Sequence, residues 1–181
     1  MPTRQPTQTL RLILRPLHAD DVPLLYAIQS DAAAMRFTYC APSLEACSHR
    51  LWKYEAMRTS HGFAPWVVLD RSDAKLIGWG GLGVDPLDPD WGPEISYFFH
   101  PAYWGRGLAT ELVAHCIEHA FHTLALSEVS AFAMPENVAS IRVLEKSGFT
   151  FLRYEPSLAR NHYRISADRG VLGSPSTGRS R

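Results

Sequence analysis

A strand, a glycine-bearing turn and a long helix follow one another between residues 93 and 124. The turn is Gly105-Arg106-Gly107, and an apolar stripe of helical period begins at Leu108. The first amides of a helix lack intrahelical partners, and the helix dipole adds about half a positive charge, so this start favours a phosphate. Glycines let the backbone approach such a ligand, and Arg106 adds a cation at the rim. The segment predicts an anion site; the alternative is a turn that needs only positive φ.

A second glycine-rich segment, Gly78 to Gly83, satisfies the G-x-G-x-x-G pattern of dinucleotide-binding proteins. Residues 84–89 (VDPLDP) follow it and cannot open the helix on which a pyrophosphate would lie. We therefore expect these glycines in a bulged or closely approached strand. The turn at Gly105 lacks the Gly-Lys-Ser/Thr of a Walker loop, which excludes that type of nucleotide site.

The elements that must position the turn alternate between strand and helix periods. Strands are predicted at Thr9 to Arg15, 63–70, 75–84, 93–99, 128–133, 149–155 and 161–166. Four helices are predicted: one capped by Asp20 or Asp21 that ends at about 30, one capped by Ser43 that runs to about 59 and stops at Gly62, one that begins at 108, and one over about 137–147 that stops at Gly148. The order β-αα-βββ-α-β-α-ββ predicts an α/β fold with a single mixed central sheet flanked by helices.

Composition limits the class of protein. The chain has 181 residues, enough for one domain; we assign residues 9–166 to it, with flexible ends at 1–8 and 167–181. Lys+Arg and Asp+Glu both number 18, so no bulk charge argues for a nucleic-acid or membrane partner. The spacing of Cys40, Cys47 and Cys116 fits neither a disulfide framework nor a zinc site. With no secretory signal and no long apolar run, we expect a cytoplasmic protein.

The chain resembles the GNAT superfamily of acetyltransferases, in particular its branch that acetylates the N-termini of ribosomal proteins. The matching segments keep the family's order and are residues 9–16 (TLRLILRP), 94–97 (EISY), 103–111 (YWGRGLATE) and 137–149 (NVASIRVLEKSGF). The resemblance covers about residues 9–165. It implies a GNAT fold whose sheet is splayed at an acetyl-CoA site, and an N-acetyltransferase that uses acetyl-CoA as co-substrate without a metal.

The resemblance also assigns the cofactor-binding residues. The acetyl-CoA diphosphate is expected on Trp104, Gly105, Arg106, Gly107, Leu108, Ala109 and Thr110, where Trp104 replaces the Gln/Arg of the general pattern but is similar to the aromatic of the ribosomal-protein branch. Backbone groups of Tyr97, Phe98 and Phe99 are expected to pair with pantetheine, because splayed strands leave amides that need partners. Asn137 and Ser140 are expected to face the cofactor; for Asn137 a plain helix N-cap is the alternative.

Acetyl transfer requires a neutral amine, a partner for the oxyanion and a proton for the leaving thiolate. Glu94 is the expected general base, since it begins the strand that holds the thioester and the family places a carboxylate near the acceptor; an exposed strand-edge residue is the alternative. The amide of Tyr97, Phe98 or Phe99 would stabilise the oxyanion. Many GNAT enzymes carry a tyrosine acid where this chain has Leu144, so Ser140 is the candidate acid, unless the thiolate leaves unaided.

The acceptor itself is a primary amine of open identity. Residues 35–39 and 85–91 would border its pocket, and the acids Asp85, Asp88 and Asp90 suit a peptide N-terminus and a polyamine equally. Several aromatics are candidates for pocket walls or plain packing, namely Trp52, Tyr54, Trp66, Trp79 and Trp91. The histidines at 115, 119 and 122 are expected on a solvated helix face, and His100 in a turn. A non-catalytic acyl-CoA-binding module on the same fold is the rival function, and the protein is expected to be a monomer or homodimer.

Overall fold

The computed structural model describes residues 6–170. Residues 1–5 and 171–181, which make up most of the two ends predicted to be flexible, lie outside the described residues. Inside the predicted ends, Thr7–Gln8 forms a short strand and Ala167–Gly170 a turn of helix. Regular secondary structure is therefore described on both sides of residues 9 and 166.

The described residues form an eight-stranded sheet and four longer helices, in the predicted order. The strands are β1 (Thr7–Gln8), β2 (Leu12–Arg15), β3 (Trp66–Asp70), β4 (Leu76–Val84), β5 (Pro93–Phe99), β6 (Glu128–Ala133), β7 (Thr150–Glu155) and β8 (Arg160–Ser166). The helices are α1 (Val22–Gln29), α2 (Leu44–His61), α3 (Leu108–Glu118), α4 (Val138–Lys146) and the short α5 (Ala167–Gly170).

The sheet is single and mixed, which confirms the predicted fold class. Its strand order is β1-β2-β3-β4-β5-β6-β8-β7, and every neighbouring pair is antiparallel except β5 and β6. Helices α1 and α2 pack on one face around Leu25, Leu51 and Trp79. Helix α3 covers the other face with Leu112 and Cys116, both fully buried. The two apolar layers are what fixes the sheet between the helix pairs.

Strands β5 and β6 part from each other almost as soon as they pair. Their parallel register contains only Glu94 opposite Ser130, and the rest of β5 has no strand partner on that side. Parallel strands present their carboxyl ends at the same edge, so α3, which follows β5, and α4, which follows β6, both begin beside this gap. The predicted splay is therefore present between these two strands.

The first predicted strand is wrong at its start. Thr9–Arg11 is not extended but forms the turn between β1 and β2, in which the Thr9 amide donates to the Leu12 carbonyl at 3.0 Å. Leu10, predicted to alternate inward with Leu12, is 80% exposed because it lies at the tip of this turn. An alternating pattern alone does not reveal that the chain reverses direction.

Asp21, one of the two predicted caps, occupies the N-cap position of α1 but makes no side-chain capping bond. The Asp21 side chain does not cap the helix; it forms a bidentate ion pair with Arg15 at 2.6 and 2.7 Å and accepts from the His18 amide at 2.8 Å. By contrast, Ser43 caps α2 through a 3.1 Å bond from the Ala46 amide, as predicted. Gly62 ends that helix with φ +84°, which glycine adopts without strain.

The glycine-rich segment lies within β4, in the closely approached strand that its sequence predicts. A Cβ at Gly80 would collide with the side chain of Tyr97 on β5, and Gly81, at φ +140°, lies against the Trp66 ring. No helix follows these glycines, since the chain continues along β4 to Val84. The dinucleotide pattern is therefore a consequence of tight strand packing.

Candidate functional site

Helix α3 begins at a turn built from two glycines in the left-handed region. Gly105 has φ +72° and Gly107, the residue before the helix, has φ +75°. Gly107 supplies no side chain to cap the helix, and the first helical bond runs from the Glu111 amide to the Gly107 carbonyl at 3.1 Å. The amides of Leu108 to Thr110 therefore precede the hydrogen-bonded part of the helix and face the turn. This geometry suits an anion.

A cleft of about 710 Å³ lies over this helix start. Most of the predicted cofactor residues line it, which brings together parts of β5, the turn, α3 and α4: Tyr97, Phe98, Phe99, Trp104, Gly105, Gly107, Leu108, Ala109, Thr110, Asn137 and Ser140. Arg106 does not. Its guanidinium lies 5.0 Å from the centre of the Tyr103 ring, so the predicted cation at the rim is held against an aromatic side chain instead.

The same cleft is also lined by three cationic side chains that the sequence patterns did not predict. Arg142 and Lys146 project from α4, and Arg36 comes from the loop between α1 and α2. The spacing of Arg142 and Lys146, four residues apart on a predicted helix, is a signal that could have identified them. Arg36 carries no such signal, because its position depends on a loop of irregular structure.

The backbone of β5 is divided between β4 and the cleft. The His100 amide donates to Ile77 in β4 at 2.8 Å, and the Phe98 carbonyl lies against Gly78 of β4. Because backbone groups alternate along a strand, those of Tyr97 and Phe99 point to the open side. One of them is already bound, since the Trp104 indole donates to the Phe99 carbonyl at 2.8 Å. Of the three amides predicted for the oxyanion, Tyr97 and Phe99 remain candidates and Phe98 does not.

Glu94 lines a second, smaller cavity of about 210 Å³. Burial, followed by the nearby charge of Asp85, raises its pKa to about 7, against the opposing effects of Arg160 and Arg50. The alternative of an exposed strand-edge residue is wrong, because the β5–β6 pair and the neighbouring loops enclose the side chain. A carboxylate with this pKa can accept a proton near neutral pH.

The two cavities share a wall in which two hydroxyl groups meet. Tyr97 Oη and Ser140 Oγ are 2.9 Å apart, and both residues line both cavities. Burial raises the pKa of Tyr97 to about 12, so its hydroxyl keeps its proton at neutral pH. The predicted role of Tyr97 was confined to its backbone. Leu144, where many GNAT enzymes carry tyrosine, is only 1% exposed.

Asn137 satisfies both interpretations of its position. Its Oδ1 accepts from the Ser140 amide at 3.2 Å, so it is the N-cap of α4. It also lines both cavities. The cap fixes the first turn of α4 and thereby the place of the Ser140 hydroxyl.

Most of the remaining side chains singled out in the sequence are pocket or packing residues, but Trp52 is 41% exposed and lines neither cavity, so both expectations are wrong for it. Tyr54, Trp79 and Trp91 line the smaller cavity. Trp66 packs against His115 and His119, with ring centres 5.8 and 5.5 Å apart, so these two histidines are half-buried and the expected solvated face is wrong for them. His100 is a turn residue, as predicted: its Nδ1 accepts from the Ala102 amide.

The turn before α3 contacts the turn between β1 and β2, and no local sequence pattern predicts this contact. Arg11 donates to the Arg106 carbonyl at 2.7 Å and forms an ion pair with Glu111 at 2.7 Å. The same carboxylate accepts from the Arg11 amide and from the Thr9 hydroxyl. The β1–β2 turn thus helps to hold the start of α3 in position.

Residues 6–170 contain neither a candidate membrane-spanning helix nor a candidate metal site. No helix in that range is long and apolar enough to cross a membrane. No group of three or more histidine, cysteine or acidic side chains there is arranged to hold a metal ion.

Comparison with known proteins identifies the family. The acetyltransferase (GNAT) domain matches residues 11–150. A Bacillus subtilis protein named probable N-acetyltransferase YjcK is 40% identical over 99 residues, which are 55% of this chain and 52% of that protein. The match thus spans about half of that relative. FsC-acetyl coenzyme A-N(2)-transacetylase of Aspergillus fumigatus is 27% identical over 200 residues, covering 98% of this chain and 83% of that protein.

The fold has solved counterparts. An acetyltransferase from Agrobacterium tumefaciens superimposes with a TM-score of 0.78 at 23% identity, covering 90% of this chain and 95% of that one. At this identity the likeness concerns the fold, and it agrees with the sheet and helix arrangement described above.

Proposed function

The chain belongs to the GNAT acetyltransferase family, and on that premise we propose that it transfers the acetyl group of acetyl-CoA to a primary amine by direct attack in a ternary complex. One observation carries the proposal. The cleft over the start of α3 and the cavity that holds Glu94 meet at Tyr97 and Ser140. A thioester in the cleft and an amine in the cavity would therefore be in reach of each other.

The cleft has the groups that coenzyme A requires. The free amides of Leu108 to Thr110 suit the diphosphate, and Arg142, Lys146 and Arg36 add positive charge for the phosphates. The unpaired backbone of Tyr97 on the open side of β5 would bind the pantetheine amides as an added strand would. The helix start and the open side of β5 line the same cleft, which suits a ligand with a diphosphate and an amide-bearing arm.

In the proposed reaction Glu94 accepts a proton from the amine, whose nitrogen then bonds to the acetyl carbon as the carbon–sulfur bond breaks. The amides of Tyr97 and Phe99 are placed to stabilise the oxyanion. The Tyr97 hydroxyl, hydrogen-bonded to Ser140, supplies a proton to the departing thiolate. The proton taken by Glu94 leaves to solvent, and the nitrogen loses its second proton to solvent as the amide forms. Tyr97 recovers a proton from solvent through Ser140, so one proton is released for each ammonium that is acetylated.

The energetics favour an amine of low pKa. Neutralising a lysine-type amine of pKa ~10.4 at pH 7 costs roughly 4 to 5 kcal/mol, whereas an α-amino group at ~7.7 to 8.0 costs about 1 kcal/mol. A base with the pKa of Glu94, about 7, is well matched to the second. The proposed acceptor is therefore an α-amino group, on a peptide N-terminus or on a small molecule.

A second function is favoured by one residue. Leu144 fills the position where many GNAT enzymes carry a tyrosine acid, and it is buried in the core. A non-catalytic module that binds acyl-CoA would need the cleft and not the Glu94 cavity. The two functions differ in what the Glu94 carboxylate contributes.

The test is CoA-thiol release, measured with acetyl-CoA and a panel of peptides and small amines. Turnover that depends on Glu94 supports acetyl transfer; tight acetyl-CoA binding with no turnover on any acceptor supports the binding module. Calorimetry against acetyl-CoA, ATP and NAD tests the ligand class in the same samples. A preference for ATP or NAD would contradict both functions.

A further inference from the structure

The cavity that contains Glu94 also contains positive charge, which a pocket for a simple cationic amine would not need. Arg50 and Arg160 both line it. Both are half-buried, so each guanidinium has lost part of its hydration and is stabilised by an anionic partner or by several acceptors. The two differ in whether the protein supplies one.

Arg50 is provided for by its neighbours. Its guanidinium lies 3.7 Å from the Asp85 carboxylate and stacks 4.7 Å from the centre of the Tyr39 ring. It also lies 5.4 Å from the centre of the Tyr54 ring, whose hydroxyl accepts from it at 3.4 Å. These contacts hold Arg50 as part of the wall.

Arg160 has fewer contacts of this kind than Arg50. Within residues 6–168 its guanidinium makes one hydrogen bond, to the Phe37 carbonyl at 3.2 Å, and no carboxylate comes within 4.0 Å of it. A guanidinium has five N–H donors, so the side chain retains a fork suited to a planar anion. Burial lowers the pKa of Arg160, against the opposing effect of the Glu94 carboxylate in the same cavity.

We propose that the acceptor is a primary amine that also carries a carboxylate, with the amine directed to Glu94 and the carboxylate bound by Arg160. The inference rests on the proposed acetyl transfer and names its substrate class. Trp79 and Trp91 line the same cavity and would contact an apolar substituent of the acceptor. Trp91 is itself held in place by Phe132 and His162, at ring-centre distances of 5.2 and 5.7 Å. Polyamines, which have no anion, are disfavoured by the same arginine.

The size of the cavity agrees with a small acceptor. Its volume is about 210 Å³, below the ~300 Å³ at which pockets for drug-sized ligands begin. A free amino acid or short amino-carboxylic acid is of this order. A folded protein surface could present only its terminal residue here, and that residue would have no free carboxylate for Arg160.

The test compares acceptors with and without a carboxylate: phenylalanine with phenylalaninamide and phenethylamine, 4-aminobutyrate with propylamine, and spermidine as the polyamine. Rates are expressed per neutral amine, because the amine pKa also differs within each set. We expect kcat/KM at least tenfold higher for the carboxylates in the wild-type protein. Arg160→Gln should abolish that preference, so that kcat/KM falls at least tenfold more for the carboxylates than for their partners without a carboxylate. Arg160→Lys should restore part of it, and Arg153→Gln, an exposed arginine on β7, should leave it intact.

Binding is measured beside turnover so that the two proposals can fail separately. Quenching of tryptophan fluorescence with CoA present reports acceptor binding whether or not chemistry follows. Preferential binding of carboxylates that Arg160→Gln removes, without turnover, would keep the substrate class and reject acetyl transfer. Turnover of the neutral amines or spermidine as fast as of the carboxylates, or equal losses for all acceptors in Arg160→Gln, would overturn the inference.

Discussion

The hydroxyl groups of Tyr97 and Ser140 lie 2.9 Å apart and join β5 to the first turn of α4. Each residue reaches this point for a separate reason. Tyr97 stands opposite Gly80 on β4, which has no side chain to compete with it. Ser140 is fixed by the cap that its amide forms with Asn137. The pair closes the wall between the two cavities, which is where the thiolate would leave.

If this pair delivers one proton, its members should act as a unit. Tyr97→Phe should lower kcat by about 100-fold, the lower end of a general acid's contribution, with little change in the KM for acetyl-CoA. Adding Ser140→Ala to Tyr97→Phe should then lower kcat little further. Steady-state kinetics of both single variants and the double variant measure this, with Tyr154→Phe on β7 as the control. Multiplicative losses in the double variant would show independent roles.

Glu94 should set the pH dependence of turnover. Its carboxylate is the active form and its pKa is about 7, so kcat/KM should rise as the pH increases through 7 and then level off. Glu94→Gln should lower kcat/KM by about 100-fold and flatten the profile between pH 6 and 8. Glu128→Gln, an exposed carboxylate on β6, is the matched control. An unchanged profile in Glu94→Gln would assign the base to another group.

The same substitution should stabilise the protein at high pH. The pKa of Glu94 is higher in the folded protein than the ~4.3 of an unfolded chain, so ionisation disfavours folding. The resulting loss of folding stability begins above pH ~4.3, the pKa in the unfolded chain, grows as the pH rises to about 7 and is constant beyond. Thermal unfolding of Glu94→Gln should therefore give a higher Tm than wild type at pH 8 and the same Tm at pH 4. A Tm that is lower at pH 8 would mean that the charge is well paired.

Arg11 should act on coenzyme binding without touching the coenzyme. It holds the Arg106 carbonyl, so Arg11→Ala should loosen the turn and raise the KM for acetyl-CoA about fivefold, the equivalent of ~1 kcal/mol for one hydrogen bond. The kcat should stay within twofold of wild type, since the Glu94 cavity lies elsewhere. Arg153→Ala controls for the loss of an exposed arginine. A fall in kcat with unchanged KM would reject this positioning role.

Local patterns were sufficient for the elements and for the helix start. The strand over 93–99 follows from its β-rich composition, and the turn at Gly105 and Gly107 from the change of period at Leu108. In both cases the signal lies within a dozen residues. The same holds for the cap at Ser43 and the stop at Gly62.

Contacts between distant segments could not be predicted in this way. Arg11 and Glu111 are separated by 100 positions, and Tyr97 and Ser140 by 43. Neither pair has a spacing that a helix or strand period would relate. Arg160 enters the Glu94 cavity from the β7–β8 hairpin because β8 is inserted between β6 and β7, an order that local signals do not specify.

The central claim is that the amides at the start of α3 bind the diphosphate of acetyl-CoA, and Gly107→Asp tests it most directly. The new carboxylate would stand at the helix start, where it repels phosphate and occupies the space that the turn leaves open. Gly62→Asp is a matched control, because Gly62 also has positive φ but caps α2. An added Cβ has nothing within 4 Å at Gly62 and meets the Arg11 guanidinium at 3.6 Å at Gly107. The two substitutions impose similar backbone strain.

The measurement is an isothermal titration of acetyl-CoA into wild type and the two variants. We predict that Gly107→Asp raises the Kd at least tenfold while Gly62→Asp leaves it within twofold of wild type. An unchanged Kd in Gly107→Asp, or an equal loss in both variants, would contradict the assignment of the diphosphate to this helix start.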